Sequence, residues 1–236
     1  MTPSPNQQGV VENLERVQER IARAAEGVGR EPNDITLVGV TKLQPIEKVQ
    51  TALAAGLRDI GENRLQEARD KFPQLDLTGI RRHLIGHLQT NKAKYVPQLF
   101  DTVHSIDSER IAKTLNGKME SGSEPLPIFI QVNTSGEESK FGIEPETAMD
   151  LVGFCLEQQR LQVQGLMTIG PLTDDKQRIV RSFRILRMLA DQIQTAFVPV
   201  IRKLDLSMGM TGDFEWAIAE GATHVRVGRA IFGERE

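Results

Sequence analysis

From Ile35 onward the chain alternates short β-type runs with amphipathic helical stretches, and it does so eight times. No other feature limits the possible folds as strongly. The runs are ITLVGVT (35–41), RDIGE (58–62), HLIGH (83–87), FDTVHSI (100–106), IFIQVNT opened by Pro127 (128–134), LQVQGLMT (161–168), KLDLSM (203–208) and HVRVG (224–228). Helices are predicted between them: Pro45 to Ala55, ended by Gly56; a stretch carrying Leu65, Ala68 and Phe72; Asn91–Val96; one starting at Asp107 or Ser108; about Pro145 to Gln158; about Asp174 to Thr195; and Gly212 to Glu220. A parallel strand joined to the next through a helix requires a right-handed crossover. Eight such units in about 200 residues predict a (β/α)8 barrel at the small end of its range. An open doubly wound sheet is the alternative, but no Gly-rich fingerprint follows the first strand. Without a linker or a composition shift, residues 9–236 read as a single barrel domain. Residues 1–8 read as a flexible N-terminus, with the first helix starting near Gly9.

Charge and cysteine content narrow the function. Lys+Arg 29 against Asp+Glu 32 gives a net charge of −3, whereas general nucleic-acid binding needs a basic excess. No stretch approaches the roughly 20 apolar residues of a membrane span, and the start has no basic-then-apolar leader. A cytoplasmic protein, monomeric or weakly dimeric, is the expectation. One Cys excludes an intramolecular disulfide and a cysteine-rich zinc site.

In a (β/α)8 barrel the chemistry sits on the loops after the strands. Lys42 ends an apolar strand there; either it snorkels to water, or desolvation makes its amine available for a Schiff base. SMGMTGD (207–213) and VGRAIFG (227–233) follow the last two strands, where this fold often binds phosphate. The amides of Ser207, Met208, Gly209 and Met210 are expected to face the anion; ordinary Gly-rich turns are the plainer reading. A lysine nucleophile beside a phosphate cradle suggests a phosphorylated aldehyde, either pyridoxal 5′-phosphate (PLP) or the sugar phosphate of a lysine aldolase. Arg226, two residues before Gly228, points to the mouth by strand alternation.

The segments VGVTKLQP (38–45), GENRLQEA (61–68), HLIGHLQTNK (83–92), QVNTSGEESKFG (131–142), GLMTIGP (165–171), LSMGMTGDFEWAIAEGAT (206–223) and VRVGRAIFG (225–233) occur in an order that resembles the pyridoxal phosphate homeostasis protein family, relatives of the alanine racemase barrel. The resemblance implies a fold-type-III barrel of the alanine racemase N-terminal type, carrying PLP as an internal aldimine on Lys42. It further implies that Ser207 with Gly209, and Gly228 with the Arg229 amide, hold the phosphate. Arg226 lies by the ring nitrogen or phosphate, Asn63 and Met167 line the pocket, and His83 flanks the ring. The implied function is intracellular vitamin B6 and amino-acid homeostasis without an established catalytic reaction, with PLP-dependent apoenzymes or regulatory proteins as partners. Position 229 is often a small hydroxyl residue in this family and is Arg here; Arg82 stands where an aromatic is frequent, an outer-face change.

The competing function is a PLP-dependent racemase. Alanine racemases take a second catalytic base from a Tyr in an added domain, and this chain has one tyrosine, Tyr95, in a predicted helix. A cofactor-free lysine aldolase and a binding protein that uses the cofactor as a signal are the remaining alternatives. His83 and His87, about 13 Å apart on a strand, do not suit a metal. Cys155 reads as a buried hydrophobe, Arg178, Arg181, Arg184 and Arg187 as a solvated helix face, and Glu137–Lys140 as a charged rim loop or lid.

Overall fold

Strand twist and a two-residue alternation of inward and outward side chains close the chain on itself. The computed structural model describes residues 5–120, 122 and 124–234. Eight parallel strands form one closed barrel in chain order: β1 (Thr36–Val40), β2 (Asp59–Glu62), β3 (Arg81–Leu84), β4 (Thr102–Ile106), β5 (Leu126–Gln131), β6 (Leu161–Met167), β7 (Asp205–Ser207) and β8 (His224–Val227), which returns to β1. The helices are α1 (Pro5–Glu26), α2 (Ile46–Ala54), α3 (Leu65–Lys71), α4 (Val96–Leu99), α5 (Glu109–Asn116), α6 (Ala148–Leu156), α7 (Lys176–Ala196), α8 (Phe214–Ala219) and α9 (Arg229–Phe232). No helix among the described residues is long and apolar enough to cross a membrane.

The eightfold reading therefore holds, with local corrections. The first helix starts at Pro5 rather than near Gly9, so the segment expected to be flexible is helical from residue 5; residues 1–4 lie outside the described residues. The third strand is Arg81–Leu84, not 83–87. Gly86 presses on the neighbouring turn so closely that a Cβ would lie 2.1 Å from the Asn63 carbonyl oxygen, and the chain leaves the ladder there. Arg82 holds Asp101 through two hydrogen bonds of 2.6 and 2.8 Å. The stretch read as a helix over Asn91–Val96 is a 3₁₀ segment, Thr90–Tyr95, followed by α4.

Two apolar layers position the site. Outward residues such as Ile60, Leu84, Val103, Ile128, Leu166 and Val225 are buried against the helices in one continuous core. The α1 face built from Val10, Leu14, Val17, Ile21 and Ala25 packs against α2, α8 and α9, as helical spacing predicts. The interior adds polar and aromatic side chains to inward residues such as Val38. His83, His104, Phe129 and His224 come from four strands and meet as rings, with His104 stacked on Phe129 at 4.2 Å.

Candidate functional site

The alternation in β1 turns Val38 and Val40 inward, and Lys42 follows on the same face just past the strand end. Lys42 is half-buried there, in a tight turn closed by the Gln44 N–H donating to the Thr41 carbonyl at 3.1 Å. Leu43, the third residue of that turn, has φ 58°, a left-handed conformation that a leucine rarely adopts.

Lys42 opens onto a cavity of about 660 Å³ at the C-terminal mouth, within the usual range for small-ligand sites. Its walls include Val40, Gln44, Arg226, Gly228 and Arg229, with the loop after β6 (Pro171–Asp174) and the loop after β7 (Met210–Asp213). Trp216 and Ile179 complete the wall opposite β1.

Arg226 places a buried charge on the wall of this cavity. The side chain is buried, donating to the Ser207 hydroxyl at 2.6 Å and to the Thr168 carbonyl at 2.8 Å. Both acceptors are neutral, and no carboxylate among the described residues forms an ion pair with it. Burial lowers its pKa to about 10, opposed by the more distant charge of Asp213. Asp213 is itself pushed up by burial, against its hydrogen bond from the Met210 amide. A buried guanidinium with no carboxylate in contact leaves an electrostatic demand on a wall of the cavity.

The predicted site residues separate into two groups. Lys42, Arg226, Gly228 and Arg229 line the cavity together. Ser207, Gly209, Met167, Asn63 and His83 do not. The Ser207 hydroxyl is fully buried between Arg226 and His104 Nδ1. Gly209 has φ 93°, and a Cβ there would lie 2.6 Å from the Ala217 Cβ, so α8 packing accounts for this glycine. Met167 is buried at the end of β6. Asn63 sits past β2 with its Oδ1 buried and without a hydrogen bond among the described residues. His83 is deep in the barrel, 2.9 Å from both Asp59 Oδ1 and His104 Nε2, instead of beside the cavity. It faces inward at the level of Gly61 on the adjacent strand, below the mouth.

Two expectations about the loops also change. Of the four amides expected to face an anion, Met208 donates to the His224 carbonyl and Met210 to Asp213. The Glu137–Lys140 loop is tied down: Lys140 pairs with Glu137 at 2.7 Å and bonds to the Gly170 carbonyl, while Glu137 accepts from the Leu172 amide. His87 turns to Asp107 at 3.2 Å and stacks on Phe141. Arg184 and Arg187 of the expected solvated face both pair with Glu220. Sequence reasoning missed Gln44, Ile179, Trp216 and His104. Of these only His104, a polar residue within an apolar strand, carries a local signal.

Similarities to known proteins bear on this arrangement. Residues 12–236 match the family model described as alanine racemase, N-terminal domain. A relative from Aquifex aeolicus named pyridoxal phosphate homeostasis protein is 40% identical over 95% of this chain and 98% of its own. The solved structure of PipY from Synechococcus elongatus with PLP bound superposes with a TM-score of 0.83 at 32% identity, covering 95% of this chain and 100% of that one. Alanine racemase from Corynebacterium glutamicum shares the fold at 14% identity and a TM-score of 0.73; the match covers 97% of this chain and 62% of the racemase.

Proposed function

The chain belongs to the pyridoxal phosphate homeostasis protein family, built on the alanine racemase N-terminal domain, and from that premise we propose that it binds PLP covalently through Lys42 and serves PLP homeostasis in the cytoplasm. The observation that carries this reading is the pairing of Lys42 with a buried, ion-pair-free Arg226 on the walls of one cavity. When bound, PLP supplies an aldehyde that condenses with a primary amine with loss of water, a pyridine nitrogen and a phosphate dianion. Each has a matching group. Lys42 lines the mouth, with its backbone held in the turn after β1. Arg226 donates toward the ring nitrogen or the phosphate. Gly228 caps α9, whose first N–H groups have no intrahelical acceptor; with the Arg229 guanidinium they suit phosphate oxygens. A Cβ on Gly228 would meet Val40 first, at 3.4 Å, so the backbone there leaves room for close approach by a ligand.

Holding and releasing the cofactor fits this chain better than racemisation. Its one tyrosine, Tyr95, packs against the outer core with Lys94 over its ring at 5.0 Å and is not among the residues of the cavity wall. PLP-dependent apoenzymes or regulatory proteins are the partners this role requires.

The test is a visible absorption spectrum of the purified protein incubated with PLP, beside Lys42→Ala. A band present in the first and lost in the second supports the reading; no band in the first overturns it. Lys42-dependent exchange of an amino acid's α-hydrogen into heavy water would favour the racemase instead.

A further inference from the structure

We propose that Lys71 is a positioning residue for Lys42: through the Thr41 carbonyl and through Glu67 it clamps the peptide units on both sides of the lysine. The inference rests on the reading of Lys42 as the attachment point, and it concerns residues outside the cavity.

Lys71 is the last residue of α3 and is 6% exposed. Its ammonium donates to the Thr41 carbonyl at 2.6 Å, to Glu62 Oε1 at 2.7 Å and to Glu67 Oε1 at 2.9 Å. The Thr41 carbonyl belongs to the peptide unit that enters Lys42. The peptide unit that leaves it carries the Leu43 N–H, which donates to the same Glu67 oxygen. Both planes flanking the Lys42 Cα are therefore tied to one helix. Glu67 and Lys71 reach them together because residues four apart share a helix face.

The turn needs such a tie. Leu43 sits at φ 58° and is 61% exposed, so neither glycine's freedom nor burial of the leucine side chain holds it there. Conformations of this kind persist where surrounding contacts over-determine them. Those contacts continue inward: Glu62 is fully buried at the end of β2 and accepts from the Thr41 hydroxyl at 2.7 Å as well as from Lys71. Strand β2, helix α3 and the β1 turn thus form one charge-assisted unit behind Lys42. Fixing the Cα and the direction of the Cβ fixes where the long lysine stem can reach. An error near 1 Å in that position costs a reacting group on the order of a hundredfold.

The experiment compares the full-length native protein with Lys71→Met, Lys71→Arg, Glu67→Ala and Lys42→Ala. Each is titrated with PLP well below its melting temperature, then reduced with borohydride and mapped by mass spectrometry. We expect Lys71→Met and Glu67→Ala to retain the native circular dichroism while PLP affinity and the yield of adduct on Lys42 fall at least about tenfold. Lys71→Arg, which keeps a donor at the Thr41 carbonyl, should recover to within about threefold of native. Glu67→Ala leaves the buried Glu62–Lys71 pair in place, so it decides the matter should Lys71→Met not fold. Native-like affinity and adduct yield in Glu67→Ala would overturn the proposal. Absence of a Lys42 adduct in the native protein would instead overturn the reading beneath it.

Discussion

Arg226 donates a 2.6 Å hydrogen bond to the Ser207 hydroxyl, and this bond is the upper end of a chain that runs through the barrel. Ser207 Oγ is 2.9 Å from His104 Nδ1, His104 Nε2 is 2.9 Å from His83 Nδ1, and His83 Nε2 is 2.9 Å from Asp59 Oδ1. An arginine can only donate. The Ser207 oxygen therefore accepts at one end of the chain, and the Asp59 carboxylate accepts at the other. Burial pushes the His104 pKa well below its ordinary value, and the charge of Arg226 acts in the same sense, so this ring stays neutral. Asp59 ends below the usual carboxylate range: burial raises it, but the hydrogen bonds and charges of His83 and Arg81 outweigh that. The negative end of the chain is thus at the foot of the barrel, and the positive end is left at the mouth.

Removing the positive end should separate binding from stability. Arg226 bonds only to neutral acceptors, so its burial is poorly compensated before a ligand arrives. Arg226→Met should leave the unfolding free energy of the ligand-free protein within about 1 kcal/mol of native. Its PLP affinity should fall by about 10- to 100-fold, the worth of charged hydrogen bonds to a ligand. Chemical denaturation and a PLP titration on one preparation check both; unchanged affinity would remove Arg226 from the site.

Two glycines on neighbouring loops should behave in opposite ways. At Gly209 an added Cβ meets the Ala217 Cβ at 2.6 Å and the Phe214 backbone at 2.9 Å, with φ 93°. Gly209→Ala should therefore cost roughly 2–4 kcal/mol of stability. At Gly228 the nearest atoms are 3.4 Å away and belong to Val40. Gly228→Ala should keep the native melting temperature and lose PLP affinity, because its methyl enters the cavity. A melting curve and a PLP titration on each variant suffice; a destabilised Gly228→Ala with native affinity would remove the cradle assignment.

The fold was legible because each β-type run is bounded by turn residues, and helical spacing fills the intervals. Lys42, Arg226 and Gly228 could be found from strand-end position and alternation alone. His83 could not be placed so. Its depth depends on where β3 starts, and Arg81 and Arg82 gave no apolar signal to extend the strand backward. Ser207 and Gly209, expected at the phosphate from the Gly-rich turn and the family resemblance, are also engaged by the barrel interior and by helix packing. Trp216 and Ile179 reach the cavity only because closure brings α7 and α8 to the β1 mouth. Lys71 looked like an ordinary basic residue in a last helical turn, since nothing local shows that Glu62 points outward from β2 to meet it.

That buried pair makes its own prediction. Glu62 and Lys71 side chains are 0% and 7% exposed and 2.7 Å apart. Burial raises the Glu62 pKa while Lys71 opposes the shift. Lys71→Met strands a buried carboxylate and should cost about 3–5 kcal/mol, whereas Glu62→Leu combined with Lys71→Leu should cost distinctly less. Urea unfolding of the two variants measures the difference, and equal losses would contradict it.

The interior histidines set the acid response of the protein. Burial holds His104 well below its ordinary pKa and His224 at about 4, against an unfolded value near 6.5. Above pH 6.5 neither state carries these protons, so the histidines leave stability unchanged. Below it the unfolded chain takes up two protons that the folded interior refuses, and stability falls as the pH falls. The slope should approach about 2–3 kcal/mol per pH unit between roughly pH 6 and pH 5, about 1.4 for each histidine. Below about pH 4 the His224 contribution levels off as the folded state also binds its proton. His224→Gln should reduce the slope by about half, whatever its effect on absolute stability. Urea unfolding from pH 7 to pH 5 measures both slopes, and a variant as steep as the native protein would show that His224 is not held neutral in the fold.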